Sequence, residues 1–296
     1  MTESSYLFLN DLRLHYLHWN IAEGNPLLVL LHGLASNARI WEPVAPYLVE
    51  RGFALLAPDA RGHGLTDKPD GDYGFATMTR DLAALINLYE PVRPILIGHS
   101  WGAFVSLDYA SRFSSGPRSP AGIALVDGGA TQLDESGLSW EEMHDRLTPP
   151  RLAGMPLETF LSLLGGNNPR WQPDNQAMQI ILANFDVSED ETISPRLSFE
   201  HHMQIVRAMW EYKTYECFAR LRCPVLIVVA RPSEPLSQKE REQIALKERG
   251  VGMAQERIGD VRVEWMGNTI HDIPLQRPAE LAELIAGFAT SLMVNG

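Results

Sequence analysis

The sequence predicts an α/β fold, a mostly parallel sheet flanked by helices, into which an all-helical segment is inserted. Short apolar runs rich in Val, Ile and Leu alternate with helical patterns, which is typical of this class. The run Leu27–Leu31 has no polar alternation, which indicates a strand covered on both faces. From about residue 130 to about residue 221 only helical patterns occur. Because this stretch is too long for one crossover, we expect it to form an inserted domain.

The predicted strands are short and apolar. The first two flank Asn10-Asp11, a pair that is typical of a hairpin turn. In chain order the strands are Tyr6–Leu9, Leu12–Trp19, Leu27–Leu31, Phe53–Ala57, Pro94–Ile97, Ile123–Val126, Val225–Val229 and Val261–Trp265.

The predicted helices lie between these strands and within the inserted segment. Those that flank the sheet are Ala38–Glu50, Ala76–Tyr89, Gly102–Phe113 and Ala279–Leu292. Those of the inserted segment are Trp140–Leu147, Leu157–Leu164, Asn175–Phe185 and Phe199–Tyr212.

This order of elements divides the chain into two domains. A core domain comprises residues 1–129 and 222–296, and a helical cap of residues 130–221 is inserted after the sixth strand. An insertion there follows the carboxyl end of a strand, where open α/β sheets bind their ligands. We therefore expect the cap to shape a substrate pocket.

Composition restricts the class of partner. The 296 residues carry a formal net charge of -12, which argues against nucleic acid because phosphate binding needs clustered Lys and Arg. Cys217 and Cys223 lack metal or redox spacing and are expected to be small buried hydrophobic residues. No apolar stretch approaches the ~20 residues of a membrane helix, and no secretory signal pattern is present. We expect a cytoplasmic protein that acts on a small molecule, with no membrane partner.

The segment Gly98-His99-Ser100-Trp101-Gly102 matches the G-x-S-x-G pattern of a nucleophile elbow. It follows a predicted strand and opens a predicted helix, as the elbow requires. The sharp turn lifts the serine hydroxyl out of the sheet, and glycine at both ends avoids side-chain clashes. Ser100 is therefore the candidate nucleophile.

A serine hydroxyl is a poor nucleophile without an adjacent base. His271 follows the last predicted strand and precedes the C-terminal helix, so it is the candidate base. His99 fills a variable position of the elbow, and His201-His202 lacks metal-ligand spacing. We expect neither a metal nor a cofactor.

An oxyanion needs two backbone N–H donors. One is assigned to Trp101, the residue after the nucleophile. The second is assigned to Leu34, in the loop His32-Gly33-Leu34 that follows the third strand. Gly33 allows close approach of the backbone, and His32 is expected to brace the loop by hydrogen bonding.

Together these pieces resemble the α/β-hydrolase family, in particular its cap-bearing esterase, lactonase and cofactor-free haloperoxidase-like branch. The matching pieces occur in family order across nearly the whole chain: His32-Gly33-Leu34, Asp59–Gly64, the Ser100 elbow and His271. The resemblance implies an α/β-hydrolase sheet. It also implies that Asp59–Gly64 is a structural loop in which His63 is packed.

The acid that would complete a catalytic triad departs from the family pattern. The resemblance places it after Val225–Val229 in a Gly-x-x-Asp stretch, but Ser233 stands where aspartate is expected. Glu234 is one residue later and is the preferred candidate. Asp127, at the end of the preceding strand, is the alternative, because some family members carry the acid there.

The predicted activity is that of a serine hydrolase cleaving a carboxylic ester or lactone, with an acyl-enzyme at Ser100 and His271 as general base. Four alternatives stay open at this point. Three use the same residue types: a carbon–carbon bond hydrolase, a cofactor-free haloperoxidase and a small-peptide or amide hydrolase. The fourth is a ligand-binding protein of low turnover on the same fold.

Overall fold

The computed structural model describes residues 2–22, 24–89, 93–166 and 170–294. Its strands are β1 (Glu3–Leu9), β2 (Leu12–Trp19), β3 (Leu27–Leu31), β4 (Ala54–Pro58), β5 (Ile95–His99), β6 (Gly122–Val126), β7 (Met155–Pro156), β8 (Phe185–Val187), β9 (Thr192–Pro195), β10 (Val225–Arg231) and β11 (Val261–Gly267).

The central sheet has eight strands in the order β1-β2-β4-β3-β5-β6-β10-β11. β1 and β2 form an antiparallel hairpin, β2 pairs antiparallel with β4, and the remaining pairs are parallel. The predicted turn at Asn10-Asp11 is confirmed, since both residues have positive φ angles of 50° and 57°. The predicted mostly parallel α/β sheet is therefore confirmed.

Helices cover both faces of this sheet and also make up much of the segment inserted between β6 and β10. They are α1 (Ala45–Glu50), α2 (Phe75–Asn87), α3 (Trp101–Arg112), α4 (Trp140–Leu147), α5 (Leu157–Gly166), α6 (Asn175–Leu182), α7 (Phe199–Glu211), α8 (Thr214–Phe218), α9 (Gln238–Arg257), α10 (Ile273–Gln276) and α11 (Pro278–Val294).

The uninterrupted apolar strands follow from this two-sided cover. Along β3, Val29 packs into a core with α2, α3 and α9, whereas Leu28 and Leu30 pack into a second core with α1 and α11. Each successive side chain thus finds an apolar environment, because side chains alternate between the faces of a strand.

The inserted segment is not all-helical, and that prediction is wrong. Between β6 and β10 the chain runs through α4–α8, but β7, β9 and β8 also form a small antiparallel sheet in that order. These strands have only two to four residues, too few for a two-residue hydrophobic period to be visible in the sequence.

Several helices also differ from the prediction, and α8 and α10 are among those that were not predicted. Ala38–Glu50 is not continuous but consists of a 3-10 turn, Ala38–Trp41, followed by α1, which has proline in its first turn. Proline has no backbone N–H to continue a preceding helix. Helix α9 was not predicted, although Ser237 and Glu240 form a capping box at its start.

In the described part of the chain, no helix combines the length and the apolar character that crossing a membrane requires.

Candidate active site

Ser100 lies at the sharp turn between β5, which ends at His99, and α3, which begins at Trp101. Its backbone has φ 55° and ψ -118°, a conformation that L-residues rarely adopt and that stores strain. The Ser100 N–H donates to the carbonyl of Val126 at the end of β6 over 2.9 Å. The neighbouring strand therefore holds the elbow in its strained form.

Three glycines make room for this turn. A Cβ added at Gly98 would overlap the Gly102 carbonyl, and one at Gly102 would overlap the Leu31 carbonyl. A Cβ at Gly128, which the sequence analysis did not single out, would overlap the backbone of Ser100 itself. The backbone of the elbow therefore packs directly against the backbone of the loops after β3 and β6, with no room for a side chain at these glycines.

His271 lies in the loop between β11 and α10 and meets Ser100 across 171 residues of sequence. Its Nε2 is 2.8 Å from Ser100 Oγ. Its backbone carbonyl accepts hydrogen bonds of 2.9 Å from Ile273 N and from Nε2 of the buried His99. The elbow residue beside the serine therefore also fixes the loop that carries the histidine.

Asp127 is the carboxylate that contacts His271. It directly follows β6, with a positive φ of 46°, and its Oδ2 lies 2.7 Å from His271 Nδ1. The side chain is 0% exposed, and its Oδ1 accepts a 2.8 Å hydrogen bond from Ala230 N in β10. Because an ionised carboxylate only accepts, the proton lies on Nδ1, and Nε2 is free to accept from the Ser100 hydroxyl.

The preference for Glu234 as the partner of His271 is corrected by this geometry. Glu234 is exposed, and its carboxylate accepts from Leu236 N over 3.0 Å. The neighbouring Ser233 accepts instead from Arg170 of the inserted segment, both at its carbonyl and at its hydroxyl. The loop after β10 therefore binds the inserted segment, while the alternative acid, Asp127, contacts the histidine.

Lys247 is a site residue that the sequence analysis missed. It projects from α9, and its Nζ contacts both carboxylate oxygens of Asp127 and the carbonyl of Ala230 at 3.2 Å. No local pattern marks it, since its partner lies 120 residues away.

The charges of this cluster set two pKa values. Burial disfavours ionisation of Asp127, but the hydrogen bond and charge of His271 and the charge of Lys247 outweigh it, so the pKa of Asp127 is far below its ordinary value. Partial exclusion of water disfavours the His271 imidazolium, although 52% of that side chain is exposed. The hydrogen bond and charge of Asp127 outweigh this effect and raise the pKa of His271.

The loop after β3 lies against the nucleophile. A Cβ at Gly33 would come within 3.1 Å of Ser100 Cβ, so the loop backbone passes directly beside the serine. His32 Nδ1 donates to the Gly33 carbonyl over 2.7 Å, and its Nε2 accepts from Ala60 N over 3.0 Å. Leu34 follows in this braced turn, and Trp101, the first residue of α3, has an N–H with no acceptor inside its helix.

Ser100 and His271 open into a cleft of about 820 Å³. Its walls come from the inserted segment, through Leu147 and Met209, and from α9, through Ile244. The exposed half of the His271 ring faces this space, which can hold a small molecule against the serine.

Comparison with known proteins places these features in context. A family described as "Alpha/beta hydrolase family" matches residues 28–284. An uncharacterised protein of Mycobacterium tuberculosis is 33% identical over 116 residues, which cover 39% of this chain and 33% of that protein. The 2-(acetamidomethylene)succinate hydrolase of Mesorhizobium japonicum is 39% identical over 98 residues, 33% of this chain and 35% of that protein. The chain thus spans about a third of the length of these curated relatives.

Among solved structures, that of E-2-(acetamidomethylene)succinate hydrolase aligns with a TM-score of 0.74 at 22% identity. The alignment covers 98% of this chain and 100% of the other, which shows that the two share a fold.

Proposed function

The chain belongs to the alpha/beta hydrolase family, and we propose that it is a serine hydrolase that cleaves a carboxylic ester or lactone through an acyl-enzyme on Ser100. One observation carries the proposal: the unbroken series of contacts from Ser100 Oγ to His271 Nε2, and from His271 Nδ1 to Asp127. This is the arrangement that activates a serine hydroxyl at neutral pH.

In the first half-reaction, Ser100 Oγ attacks the carbonyl carbon while its proton passes to His271 Nε2. The N–H groups of Leu34 and Trp101 stabilise the oxyanion of the tetrahedral intermediate. The intermediate collapses, the bond to the leaving oxygen breaks, and His271 gives its proton to the alcohol. Asp127 stays ionised throughout and stabilises the imidazolium.

In the second half-reaction, His271 takes a proton from a water molecule, whose oxygen attacks the acyl-enzyme carbonyl. The bond to Ser100 then breaks, the serine regains its proton from His271, and the carboxylic acid is released. A lactone follows the same steps, except that the leaving alcohol remains part of the acyl group. Residues 130–221 act as the cap that encloses the substrate during both steps.

A second candidate reaction is hydrolysis of an amide. It is favoured by the relative named 2-(acetamidomethylene)succinate hydrolase, because the name describes an acetamido group on a dicarboxylate. The same contacts serve this reaction, with His271 protonating a leaving nitrogen instead of an oxygen. Turnover of 2-(acetamidomethylene)succinate at a higher kcat/KM than simple esters would favour the amide.

The proposal is tested with p-nitrophenyl acetate and butyrate, comparing the wild type with Ser100→Ala. We expect the variant to release nitrophenol no faster than the buffer does. A fluorophosphonate probe is expected to add its mass to Ser100 in the wild type only. Equal rates for both proteins and no labelling would instead support a ligand-binding protein of low turnover.

A further inference from the structure

A second cavity, of about 590 Å³, lies between core-domain loops and the inserted segment, and both contribute lining residues. It borders Ala35 and Ser36, the residues directly after Leu34, and His63, whose ring stacks on Trp101 with 5.2 Å between centroids. Two lining residues thus neighbour the proposed oxyanion donors, since Ala35 follows Leu34 in the chain and His63 contacts Trp101. A substrate on Ser100 that extended past these donors would enter the cavity.

The described residues that line this cavity include two arginines, Arg151 and Arg196, and neither aspartate nor glutamate. This local excess of positive charge contrasts with the formal net charge of -12 of the whole chain. Arginine is the side chain best suited to binding planar anions, because its guanidinium donates in a fixed fork.

Part of each guanidinium is uncommitted within the described structure. Arg196 pairs through Nη2 with Asp186 Oδ1 at 2.9 Å, but that carboxylate is 62% exposed, and the buried Nε of Arg196 has no hydrogen-bond partner among the described residues. Arg151 lies 5.1 Å from the centre of the Phe199 ring and is exposed. Buried polar atoms without partners are uncommon in native proteins, and here the unpaired Nε belongs to a residue that lines a cavity.

His63 provides the complementary group. It is 1% exposed, its Nδ1 donates to the Arg61 carbonyl over 3.0 Å, and its Nε2 has no partner in the described part of the chain. Burial lowers the pKa of His63 to about 3, so the ring is neutral at physiological pH and Nε2 can only accept. A ligand in this cavity would satisfy it with a hydroxyl or an amide N–H.

We propose that this cavity binds an organic carboxylate, which Arg196 and Arg151 hold; a hydroxyl or amide N–H on the same molecule, where there is one, donates to His63. This inference rests on the proposed function in one respect: if Ser100 is the nucleophile, the molecule bound in the cavity is its substrate. A carboxylate on a short apolar chain fits better than a phosphate, because Leu152 and Leu197 form an apolar part of the wall. A phosphate carries roughly two negative charges, which this apolar surface would not solvate.

The kinetic test compares p-nitrophenyl butyrate with the mono-p-nitrophenyl ester of succinic acid, which has the same chain length and a terminal carboxylate. In the wild type we expect kcat/KM to favour the succinate ester by at least about tenfold. Arg196→Gln and Arg151→Gln should each raise KM for the succinate ester by a larger factor than KM for the butyrate ester. Arg207→Gln is the matched control, since Arg207 pairs with Glu211 on the exposed side of α7. Equal use of both esters, or equal effects of the three variants, would overturn the proposal.

The binding test does not depend on turnover. Succinate, glutarate, butyrate and inorganic phosphate are titrated calorimetrically into the Ser100→Ala variant and into the same variant with Arg151→Gln added. Because Arg151 is exposed, its replacement is not expected to unfold the protein, so weaker binding would reflect the lost guanidinium. Binding of succinate, glutarate and butyrate but not of phosphate, weakened by Arg151→Gln, is the expected result, and it would stand even if the wild type hydrolysed no ester. Phosphate binding as tight as succinate, or no binding by any anion, would remove the carboxylate assignment and leave the ester hydrolase proposal intact.

Discussion

Lys247 Nζ lies 2.7 Å from Oδ1 and 2.9 Å from Oδ2 of Asp127, the carboxylate that also receives the Nδ1 hydrogen of His271. The lysine therefore fixes both oxygens of a carboxylate whose side chain is 0% exposed. Its positive charge also opposes formation of the His271 imidazolium. We infer that Lys247 orients the acid and moderates the basicity of the histidine.

Replacing Lys247 with Met is expected to move the acid limb of the pH profile to higher pH. His271 accepts a proton only while it is neutral, so kcat/KM rises with pH through its pKa, which is already above the ordinary value. Loss of the lysine charge removes an influence that lowers this pKa, so the limb shifts further upward. A less firmly held Asp127 should also lower the plateau by roughly tenfold to a hundredfold.

The pH dependence of kcat/KM for p-nitrophenyl butyrate measures this effect, with Lys239→Met as control. Lys239 is an exposed lysine at the start of the same helix, α9. An acid limb that stays in place in Lys247→Met would show that the lysine does not act on His271.

Asp127 and Glu234 can be distinguished by substitution with their amides. Asp127→Asn keeps the shape of the side chain but offers an N–H where His271 Nδ1 now donates, so the histidine is driven to the wrong tautomer. We expect a loss in kcat on the order of ten-thousandfold. Glu234→Gln, at an exposed position whose carboxylate contacts only local backbone among the described residues, should change kcat less than about twofold. Comparable losses in the two variants would argue against Asp127 as the acid.

His63 is expected to make the protein sensitive to acid. Its pKa is about 3 in the folded protein and about 6.5 in an unfolded chain, so between these values only the unfolded state binds the proton. Stability therefore falls as the pH falls from 6.5 toward 3, and the loss between pH 7 and pH 5 is about 2 kcal/mol. This figure depends on the unfolded pKa alone, because the folded pKa lies well below 5.

Urea unfolding of the wild type and of His63→Gln at pH 7 and pH 5 checks this contribution. The variant should lose about 2 kcal/mol less than the wild type over that interval, whatever its stability at pH 7. An identical pH dependence in both proteins would show that His63 is protonated in the folded state or does not titrate in this range.

The sequence predicted those features that local chemistry determines. The strands were recognisable because burial on both faces requires unbroken apolar runs such as β3, and the elbow because backbone packing requires glycine at 98 and 102. The small sheet β7-β9-β8 was not recognisable, because its strands are held by neighbouring chain segments and not by a pattern of their own.

The acid was misassigned for a related reason. Asp127 and the segment Pro232–Pro235 follow β6 and β10, two strands that pair with each other. Both also precede His271 in the sequence, so neither the strand pairing nor the chain order distinguishes them. Which of them contacts the ring is decided by distant partners, Lys247 for Asp127 and Arg170 for the loop carbonyls of Ser233 and Pro235. Because these partners lie far from Asp127 and Ser233 in the sequence, no local pattern indicates which carboxylate contacts His271.

The tight packing of the elbow gives a stability prediction that needs no substrate. In Gly98→Ala the new methyl group would overlap the Gly102 carbonyl, which cannot move without displacing α3 from the sheet. We expect a loss of about 3 kcal/mol or more in the free energy of unfolding, measured in urea. Gly252→Ala is the matched control, because its Cβ would meet nothing within 4 Å and alanine is favoured inside a helix such as α9. The Gly252→Ala substitution should stabilise the protein by up to about 1 kcal/mol. Small and similar changes in the free energy of unfolding of both variants would mean that the elbow tolerates a side chain at position 98.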